Sequence, residues 1–395
     1  MISEKMKKMV EGSSAIRAMF EEGNKLAKIY GKENVFDFSL GNPNVPAPGS
    51  VKKAINHILD TEDTLVLHGY TNSNSGYEDV REAVALSLNE KFQTNFNADN
   101  IIMTVGAAGG LNVILKTLVN PRDEVITFAP YFGEYRSYCS NYDAVLVEVS
   151  PDPPLFQPNL LEFEEKISCK TKAVIINTPN NPTGVVYSED VIKKMAAILE
   201  KKQKEYGTDI YIISDEPYRE LAYDGVKVPY LTKYYDNTVV AYSYSKSLSL
   251  PGERIGYLVI PCEAADSKDI IGAANVATRI LGFVNAPTLQ QKLVKECLSE
   301  KTDISYYDRN RETLYKGLLD IGFSCIKPEG AFYLFVKSPI EDEKKFCAIA
   351  KKYNILIVPG SSFGCPGYVR LAYCVSYDTI KNSLPKFKEL MSEFR

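Results

Sequence analysis

The chain has few of the residues from which metal sites and disulfide frameworks are built. Its 395 residues include only two histidines, His57 and His68, and its eight cysteines are scattered with no Cys-x-x-Cys pair. The spacing of a zinc site is therefore absent, and we expect no metal ligands. Dispersed thiols in a chain of this length are typical of a reducing cytosol, where most serve as small buried apolar residues.

The sequence also lacks long apolar runs and an excess of positive charge. No run approaches the roughly 20 apolar residues that a membrane-spanning helix needs. The charged segment 1–8 is not followed by the apolar stretch of a secretory signal. The formal net charge of -4 gives no support to nucleic-acid or anionic-membrane binding. The sequence therefore predicts a cytoplasmic protein with neither nucleic acid nor membrane as its partner.

The middle of the chain alternates β-rich apolar runs with helical patterns such as Gly110–Leu118 and Glu189–Tyr206. This alternation is typical of βαβ units and predicts an α/β fold, with a mainly parallel seven-stranded sheet flanked by helices. A chain of 395 residues exceeds what one core usually holds, so a second domain is expected. The seven strands are predicted at Ile101–Thr104, Glu124–Phe128, Ala144–Val149, Ala173–Asn177, Ile210–Ser214, Val239–Tyr242 and Ile255–Ile260.

The C-terminal third has the pattern of a smaller α/β domain. A long helical pattern, Pro287–Glu300, continues into Tyr306–Ile321, and a closing helix begins at Asp378. Shorter strands are predicted between them, at Gly330–Val336, Ile355–Val358 and Tyr368–Val375. We therefore predict a large domain of residues 46–290 and a small domain of residues 291–395. The N-terminal segment of residues 1–45, with a helix at Ala15–Tyr30, is expected to pack on the small domain or on a partner subunit.

Lys246 is the most informative residue, because it follows the β-branched run 238–241 at the point where a strand ends. Ser243 and Ser245 precede it, and Arg254 follows eight residues later. A lysine nucleophile needs partial desolvation or a nearby cation to keep its amine neutral, and an anionic cofactor needs arginine and hydroxyl donors. The spacing suits a Schiff base to pyridoxal phosphate, with the phosphate held by Ser243 and Arg254. Taken alone, however, a lysine is most often a solvated surface charge.

Other candidates follow the carboxyl ends of predicted strands, where ligands bind in open α/β sheets. Gly106, Ala107 and Ala108 lie in a loop of small residues before a helix, so backbone N–H groups can approach a phosphate there. A plain tight turn explains the same residues, and neither GxxxxGK[ST] nor GxGxxG occurs. Phe132 follows the next strand and either stacks on a flat heteroaromatic ring or belongs to the core.

Two further strands end in polar residues. Asn181 lies in the loop Thr-Pro-Asn-Asn-Pro-Thr-Gly, whose prolines and glycine can fix one amide side chain. A turn-forming asparagine is the simpler interpretation. Asp215 and Tyr218 follow the strand at 210–214, where a carboxylate is costly to bury without a cationic partner. A protonated pyridine nitrogen would be such a partner, with Tyr218 bonding the 3-oxygen of the ring, whereas Asp215 as a helix cap is the alternative.

Together these motifs resemble the fold-type I pyridoxal-phosphate-dependent aminotransferases of classes I and II. The family's order is kept, over about residues 13–376, by Tyr70 with Gly76 and Arg81, Asn181-Pro-Thr-Gly, Asp215-x-x-Tyr218, Ser243-x-Ser245-Lys246, Arg254, and Arg370 in Tyr-Val-Arg-Leu. The resemblance implies pyridoxal 5′-phosphate as the cofactor. It also implies a ping-pong aminotransferase that moves an α-amino group between an L-amino acid and a 2-oxo acid.

The same resemblance implies roles for individual residues. Lys246 would form the aldimine with the cofactor and then shuttle a proton, while Asp215 would keep the ring nitrogen protonated. Arg370 would pair with the substrate α-carboxylate in a bidentate fork. Tyr70 would reach the phosphate of the neighbouring subunit, which implies a homodimer with shared active sites. The remaining assignments are the ring face for Phe132, the 3-oxygen for Asn181 and Tyr218, the phosphate for Ala107, Ala108, Ser243 and Arg254, other contact with the cofactor for Gly106 and Ser245, and contact with substrate for Ile16, Gly41 and Asn181.

Some positions depart from the family pattern. The phosphate loop lacks the hydroxyl or amide side chain that many relatives carry, so backbone groups are expected to matter more there. Where aspartate-specific members present an arginine to the substrate side chain, the best register gives Ile280, with Arg279 one residue away. A dicarboxylate preference therefore does not carry over, although a gap would restore it. The apolar and aromatic residues expected around the substrate favour neutral or aromatic donors.

Two other functions share parts of this pattern. A pyridoxal-phosphate-dependent C–S β-lyase has the same fold, but the loop around Asn181 favours transamination. Some DNA-binding regulators carry an aminotransferase-like domain behind a basic N-terminal module. This chain is acidic and reaches its family match by about residue 13, so DNA binding is not expected. The identities of the amino donor and acceptor stay open.

Overall fold

The computed structural model describes residues 2–11 and 15–394, and the side chain of Ile16 lies outside the described residues. The described residues form thirteen β-strands and fifteen α-helices. The strands are β1 Phe36–Asp37, β2 Ile101–Thr104, β3 Glu124–Phe128, β4 Val145–Val149, β5 Thr171–Asn177, β6 Tyr211–Asp215, β7 Thr238–Ser243, β8 Gly256–Val259, β9 Ser324–Cys325, β10 Tyr333–Lys337, β11 Ile355–Leu356, β12 Val358–Pro359 and β13 Tyr368–Ala372. The helices are α1 Glu4–Glu11, α2 Ala15–Tyr30, α3 Gly49–Thr61, α4 Thr64–His68, α5 Glu78–Phe92, α6 Gly106–Leu118, α7 Glu134–Asn141, α8 Leu160–Lys166, α9 Glu189–Tyr206, α10 Tyr244–Ser247, α11 Ser267–Ile280, α12 Thr288–Glu296, α13 Ser305–Ile321, α14 Glu343–Ala350 and α15 Tyr377–Ser392.

Seven strands form the central sheet, in the order β2-β8-β7-β6-β5-β3-β4. All run in one direction except β8, which is antiparallel to both of its neighbours. Each predicted strand overlaps one of these seven, with ends that differ by two residues or fewer. The predicted α/β fold with a mainly parallel seven-stranded sheet is confirmed.

The central strands are apolar on both faces because each face carries its own core. In β6, Ile213 packs in the cluster that contains residues of α6 and α11, whereas Ile212 packs in the cluster that contains residues of α8 and α9. The same alternation occurs in β5 at Ile175 and Ile176. Strands covered by helices on both faces read as continuous apolar runs. A polar residue at the end of such a strand therefore stands out in the sequence.

The sheet brings the candidate residues together at one edge. Asn177, the last residue of β5, is paired in register with Asp215, the last residue of β6. Asp215 in turn lies opposite Ala241 of β7, two residues before Ser243 ends that strand. Because the three parallel strands finish side by side, the residues that follow them surround one space.

Two predicted helix boundaries were wrong. Helix α6 begins at Gly106 rather than at Gly110, since Gly106 adopts a φ of +68° that turns the chain directly from β2 into the helix. The predicted continuous helical pattern from 287 to 321 is also broken, between α12 and α13. In the intervening segment the Thr302 backbone N–H and hydroxyl both donate to the carbonyl of Ser247. This segment therefore leaves the helix and holds the end of α10.

The C-terminal residues form a second sheet in the order β12-β13-β10-β9, with antiparallel pairing throughout. Its apolar side packs with α13, α14 and α15 in one core. The N-terminal segment joins this unit, because β1 pairs in parallel with β11 through Phe36 and Ile355. No helix among the described residues is long and apolar enough to cross a membrane.

Candidate functional site

A cavity of about 260 Å³ opens at the carboxyl ends of β5, β6 and β7, beside the first turn of α6. Most of the predicted site residues line it, and they come from segments far apart in the sequence. They are Gly41, Ala107, Ala108, Phe132, Asn181, Asp215, Tyr218, Ser243, Ser245, Lys246, Arg254 and Arg370. Gly106 lies behind this wall against Arg254, and Tyr70 lies away from the cavity with 82% of its surface exposed.

Lys246 projects from the short helix α10, immediately after β7. Its Nζ donates to the Gly41 carbonyl oxygen at 2.8 Å and lies 5.2 Å from the centre of the Phe332 ring. The pKa of the lysine is lowered to about 8, mainly by burial, with smaller contributions from Cys374, which raises it, and from the charges of Arg254 and Arg370, which lower it. A substantial share of the amine is therefore neutral near physiological pH, as a nucleophile requires.

Asp215 is the fully enclosed carboxyl group of the site. Its Oδ2 accepts a hydrogen bond from the Tyr135 hydroxyl at 2.5 Å, whereas its Oδ1 is buried with no hydrogen-bond partner. The pKa of this carboxyl is raised to about 7, mainly by burial, with the Tyr135 hydrogen bond lowering it and the nearby Glu216 raising it. An unpaired oxygen of this kind is costly unless a donor or cation binds to it.

Two residues that position this carboxyl were missed from the sequence. Asn177 donates from Nδ2 to the Asp215 carbonyl at 2.8 Å and accepts from the Asn181 backbone N–H at 2.7 Å. It therefore connects the end of β6 to the loop that carries Asn181. Tyr135 is also absent from the prediction, although it lies one helical turn after Phe132 and the two rings meet edge to face. Nothing within α7 marks it as a site residue, because its partner Asp215 lies 80 positions away in the sequence.

Arg370 is buried on β13 and directed towards the same cavity. Its Nη1 donates to Asn181 Oδ1 at 3.0 Å, its Nη2 donates to the Ser39 carbonyl, and its Nε has no hydrogen-bond partner. The guanidinium lies between two rings, 4.5 Å from the centre of Tyr333 and 4.8 Å from that of Phe363. Burial lowers its pKa from the ordinary value. A buried cation with an unused N–H is suited to bind a carboxylate.

A pair of tyrosine hydroxyls occupies the wall between Asp215 and Arg370. The hydroxyl oxygens of Tyr218 and Tyr333 lie 2.8 Å apart, and both residues are buried. Tyr333 was not predicted as a site residue, because in the sequence it belongs to an apolar strand near the C-terminal end of the chain. Its side chain nevertheless lines the cavity.

The opposite end of the cavity combines a helix N-terminus with hydroxyl and guanidinium groups. Ala107 and Ala108 form the first turn of α6, and the Ser243 and Ser245 hydroxyls lie 2.7 Å apart beside it. Arg254 donates from Nη1 to the Pro251 carbonyl at 3.0 Å, and its other N–H groups take no part in that bond. Backbone N–H groups at a helix N-terminus, hydroxyls and a guanidinium are the kinds of donor that suit a phosphate group.

The residues present fit the cofactor that the sequence resemblance implies. The unpaired Asp215 Oδ1 can accept from a protonated ring nitrogen, and the neutral form of Lys246 can bind an aldehyde. The Phe132 side chain lines the cavity and can cover a flat ring. A side chain on Gly106 would lie 2.9 Å from Arg254 Nη2, so glycine leaves the phosphate end open. Donor chemistry and space therefore both match pyridoxal 5′-phosphate.

Comparison with known proteins gives consistent results. A family model described as aminotransferase class I and II matches residues 33–387. A probable N-acetyl-LL-diaminopimelate aminotransferase of Bacillus subtilis is 32% identical, covering 90% of this chain and 89% of that protein. An aspartate aminotransferase of Thermotoga maritima is 30% identical, covering 91% and 92%. The crystal structure of an amino transferase from Eubacterium rectale shares 49% identity with a TM-score of 0.97 over 100% of both chains. An aspartate aminotransferase from Thermus thermophilus, solved with maleate, shares 26% identity with a TM-score of 0.87 over 99% of both chains.

Proposed function

Since the chain belongs to the class I and II aminotransferases and transfers amino groups with pyridoxal 5′-phosphate as its cofactor, we propose that Lys246 binds this cofactor and moves the substrate Cα proton. One observation carries the proposal. The Lys246 amine is buried in the same cavity as the unpaired oxygen of Asp215 and the unpaired Nε of Arg370. When bound, the cofactor supplies an aldehyde that condenses with amines and a ring that accepts electrons from Cα.

The chain's own residues then hold and orient the reacting groups. Asp215 accepts from the ring nitrogen and keeps it protonated, while Tyr135 keeps the carboxylate oriented. The neutral Lys246 amine takes up a proton and returns it, a role for which a pKa of about 8 is suitable. The remaining contacts are the 3-oxygen for Tyr218 and Asn181, the ring face for Phe132, and the phosphate for Gly106, Ala107, Ala108, Ser243, Ser245 and Arg254.

Arg370 binds the substrate α-carboxylate in this proposal, with Asn181 alongside and Gly41 covering the substrate.

The cavity supports a neutral or aromatic amino donor over an acidic one. Its cations are Lys246, Arg254 and Arg370, and each already has a task. The other lining side chains include Leu40, Leu111, Phe132, Tyr138 and Tyr333. No further cation among the described lining residues is available for a side-chain carboxylate.

We further infer a homodimer in which Tyr70 binds the cofactor phosphate of the partner subunit. Tyr70 is 82% exposed, and the neighbouring Leu65 is 85% exposed, so this segment presents apolar surface of the kind that interfaces bury. Ile280 adds to this exposed apolar surface on another segment, with 58% of the residue exposed. We also infer a cytoplasmic location, which suits the eight free thiols of the chain.

A panel of amino donors tests the substrate proposal. The purified holoenzyme is mixed with single L-amino acids in the absence of an oxo acid, and the absorbance change of the cofactor gives a rate for each half-reaction. We expect the fastest rates with phenylalanine, tyrosine or leucine and slow rates with aspartate. A preference for aspartate, which the names of several relatives favour, would overturn the neutral-donor proposal while leaving transamination intact.

A second measurement separates transamination from β-elimination. The holoenzyme is incubated with cystathionine, and ammonia and pyruvate are assayed with no oxo acid present. We expect no sustained release. Multiple turnovers without an acceptor would assign the site to the lyase reaction instead.

A further inference from the structure

Tyr333 lies between Tyr218, proposed to bind the cofactor, and Arg370, proposed to bind the substrate. Its hydroxyl has one hydrogen-bond partner among the described residues, the hydroxyl of Tyr218 at 2.8 Å. Its ring lies under the Arg370 guanidinium, 4.5 Å from ring centre to the guanidinium carbon. One side chain thus contacts both the residue proposed to bind the cofactor 3-oxygen and the residue proposed to bind the substrate carboxylate.

The Tyr333 side chain also lies close to the backbone of Gly41, which is hydrogen-bonded to Lys246. A methyl group built on Gly41 would lie 2.0 Å from the Tyr333 hydroxyl oxygen, so only glycine permits this approach. The Gly41 carbonyl accepts the hydrogen bond from Lys246 Nζ at 2.8 Å. The Tyr333 hydroxyl is therefore fixed between the Gly41 backbone and Tyr218, with 3% of the residue exposed.

The number of protons on the two hydroxyls determines which hydroxyl donates to the other. The two hydroxyls have two protons, and one proton occupies the bond that joins them. If Tyr218 donates its proton to an anionic oxygen in the cavity, it must accept the proton of Tyr333. Chains of this kind polarise each bond and strengthen the outermost one, which here is the bond from Tyr218 to the anion. Tyr333 would then stabilise negative charge that it does not touch.

The ring of Tyr333 has a separate effect on Arg370. It forms one side of a sandwich whose other side is Phe363, 4.8 Å from the guanidinium. A buried guanidinium over an aromatic face gains cation–π attraction and loses rotational freedom. The Arg370 fork is therefore held for a carboxylate by a ring that is also tied to Tyr218.

We propose that Tyr333 is a positioning residue of the transamination site, which orients Tyr218 through its hydroxyl and Arg370 through its ring. The proposal rests on the function assigned to those two residues above. It predicts that the two effects are separable, because a phenylalanine at this position keeps the ring and removes only the hydroxyl. It also predicts that no other ring against Arg370 affects the cofactor.

Four variants of the full-length holoenzyme test this proposal. Tyr333→Phe removes the hydroxyl, Tyr333→Leu removes hydroxyl and ring, and Phe363→Leu removes the other ring of the sandwich. Tyr373→Phe is the control, because Tyr373 is a buried tyrosine of the same core whose hydroxyl bonds the Ala331 carbonyl away from the cavity. Two quantities are measured for each. The first is the pH midpoint of the cofactor absorbance titration without substrate, and the second is the Kd of 3-phenylpropanoate, a carboxylate without an amino group.

The expected results differ for each variant. Tyr333→Phe should raise the absorbance midpoint by about 0.5 pH unit, because a weakened donor stabilises the 3-oxygen anion less, and should change the Kd less than about twofold. Phe363→Leu should weaken 3-phenylpropanoate roughly fivefold and leave the midpoint unchanged. Tyr333→Leu should show both effects, and Tyr373→Phe neither.

The outcomes also separate this proposal from the function on which it rests. If the wild-type protein shows no cofactor titration and no half-reaction, the proposed function fails. If the wild-type and Tyr373→Phe proteins behave normally but Tyr333→Phe has an unchanged midpoint, the role of the hydroxyl is refuted. Unchanged carboxylate affinity in a folded Tyr333→Leu protein would refute the role of the ring.

Discussion

Lys246 and Asp215 are ionisable residues that the fold buries in one cavity, and burial shifts each pKa in the direction that favours the neutral form. The pKa of Lys246 falls to about 8 and that of Asp215 rises to about 7. At pH 7.5 about a quarter of the lysine is a neutral amine, compared with roughly a thousandth for an ordinary lysine. Before any ligand binds, the sheet edge therefore holds an amine that is partly neutral and a carboxyl that is partly protonated near neutral pH.

The first prediction concerns the pH dependence of cofactor binding at Lys246. The rate at which the apoenzyme combines with pyridoxal 5′-phosphate should rise with pH and level off above a midpoint of about 8, because only the neutral amine reacts. Stopped-flow absorbance measures this rate. N-acetyl-lysine amide is the reference, and its rate should keep rising towards pH 10. A rate for the apoenzyme that also rises to pH 10 would contradict the burial of this amine.

The second prediction concerns Asp215 and the stability of the apoenzyme. Between pH 4 and pH 7 the folded state holds a proton on Asp215 that the unfolded state has lost, so the free energy of unfolding falls as pH rises through this window. Asp215→Asn removes this loss while keeping an acceptor for Tyr135. The free energy of unfolding of the apo variant should therefore exceed that of the apo wild type at pH 8 by an amount on the order of a few kcal/mol, seen as a higher melting temperature, and the difference should shrink at pH 5.

The cofactor should reverse this order. A protonated ring nitrogen gives the Asp215 carboxylate a cationic partner, so the cofactor should raise the melting temperature of the wild type more than that of Asp215→Asn. Asp152→Asn, on the exposed surface, serves as the control and should change neither difference. Equal stabilisation of the wild type and Asp215→Asn by the cofactor would argue against a charge pair at this carboxyl.

At the scale of elements, the start of α6 decides whether a phosphate can be bound. Gly106 has a φ of +68°, and a Cβ there would lie 2.9 Å from Arg254 Nη2. Gly106→Ala should therefore strain the backbone and displace Arg254, weakening pyridoxal 5′-phosphate by roughly tenfold or more. Gly207→Ala is a matched control, since Gly207 has a φ of +63° with open space around it. It should cost similar stability, measured by thermal unfolding, without loss of cofactor affinity.

Sequence reasoning located the strands and the residues after them, because apolar β-branched runs that end in a polar residue mark the functional edge of a parallel sheet. It missed Tyr135 and Tyr333 for a different reason. Their partners lie 80 and 115 positions away, at Asp215 and Tyr218, and neither the polar helix α7 nor the apolar strand β10 marks its tyrosine as a site residue. Which side chains meet at one atom depends on the packing of separate elements. Periodicity within one element does not contain that information.

The same limit explains the two errors in helix boundaries. Small residues at the start of α6 are equally consistent with a loop or with a helical turn, and the packing beside Arg254 leaves room only for a glycine at Gly106, where the helix begins. Residues between α12 and α13 have helical composition, but Thr302 bonds the carbonyl of Ser247 instead of continuing the helix. Both decisions depend on tertiary contacts around the proposed active site.

At the scale of the whole molecule, the proposed dimer makes a prediction that a single chain cannot fulfil. Lys246 lies inside the cavity of its own subunit, whereas Tyr70 is exposed and lies away from that cavity. If each active site combines Lys246 of one subunit with the other subunit's Tyr70, two defective chains can complement each other. Lys246→Ala and Tyr70→Ala should each have low activity as homodimers, the second because of weakened cofactor binding.

A heterodimer of the two variants should recover activity by geometry alone. One of its sites lacks both residues, but the other has Lys246 from the Tyr70→Ala chain and Tyr70 from the Lys246→Ala chain, and is therefore complete. Co-expression with two different affinity tags allows the heterodimer to be isolated. Its activity at limiting cofactor should reach about half that of the wild type, since one of two sites is intact. Activity no higher than the mean of the two homodimers would show that Tyr70 acts within its own subunit or not at all.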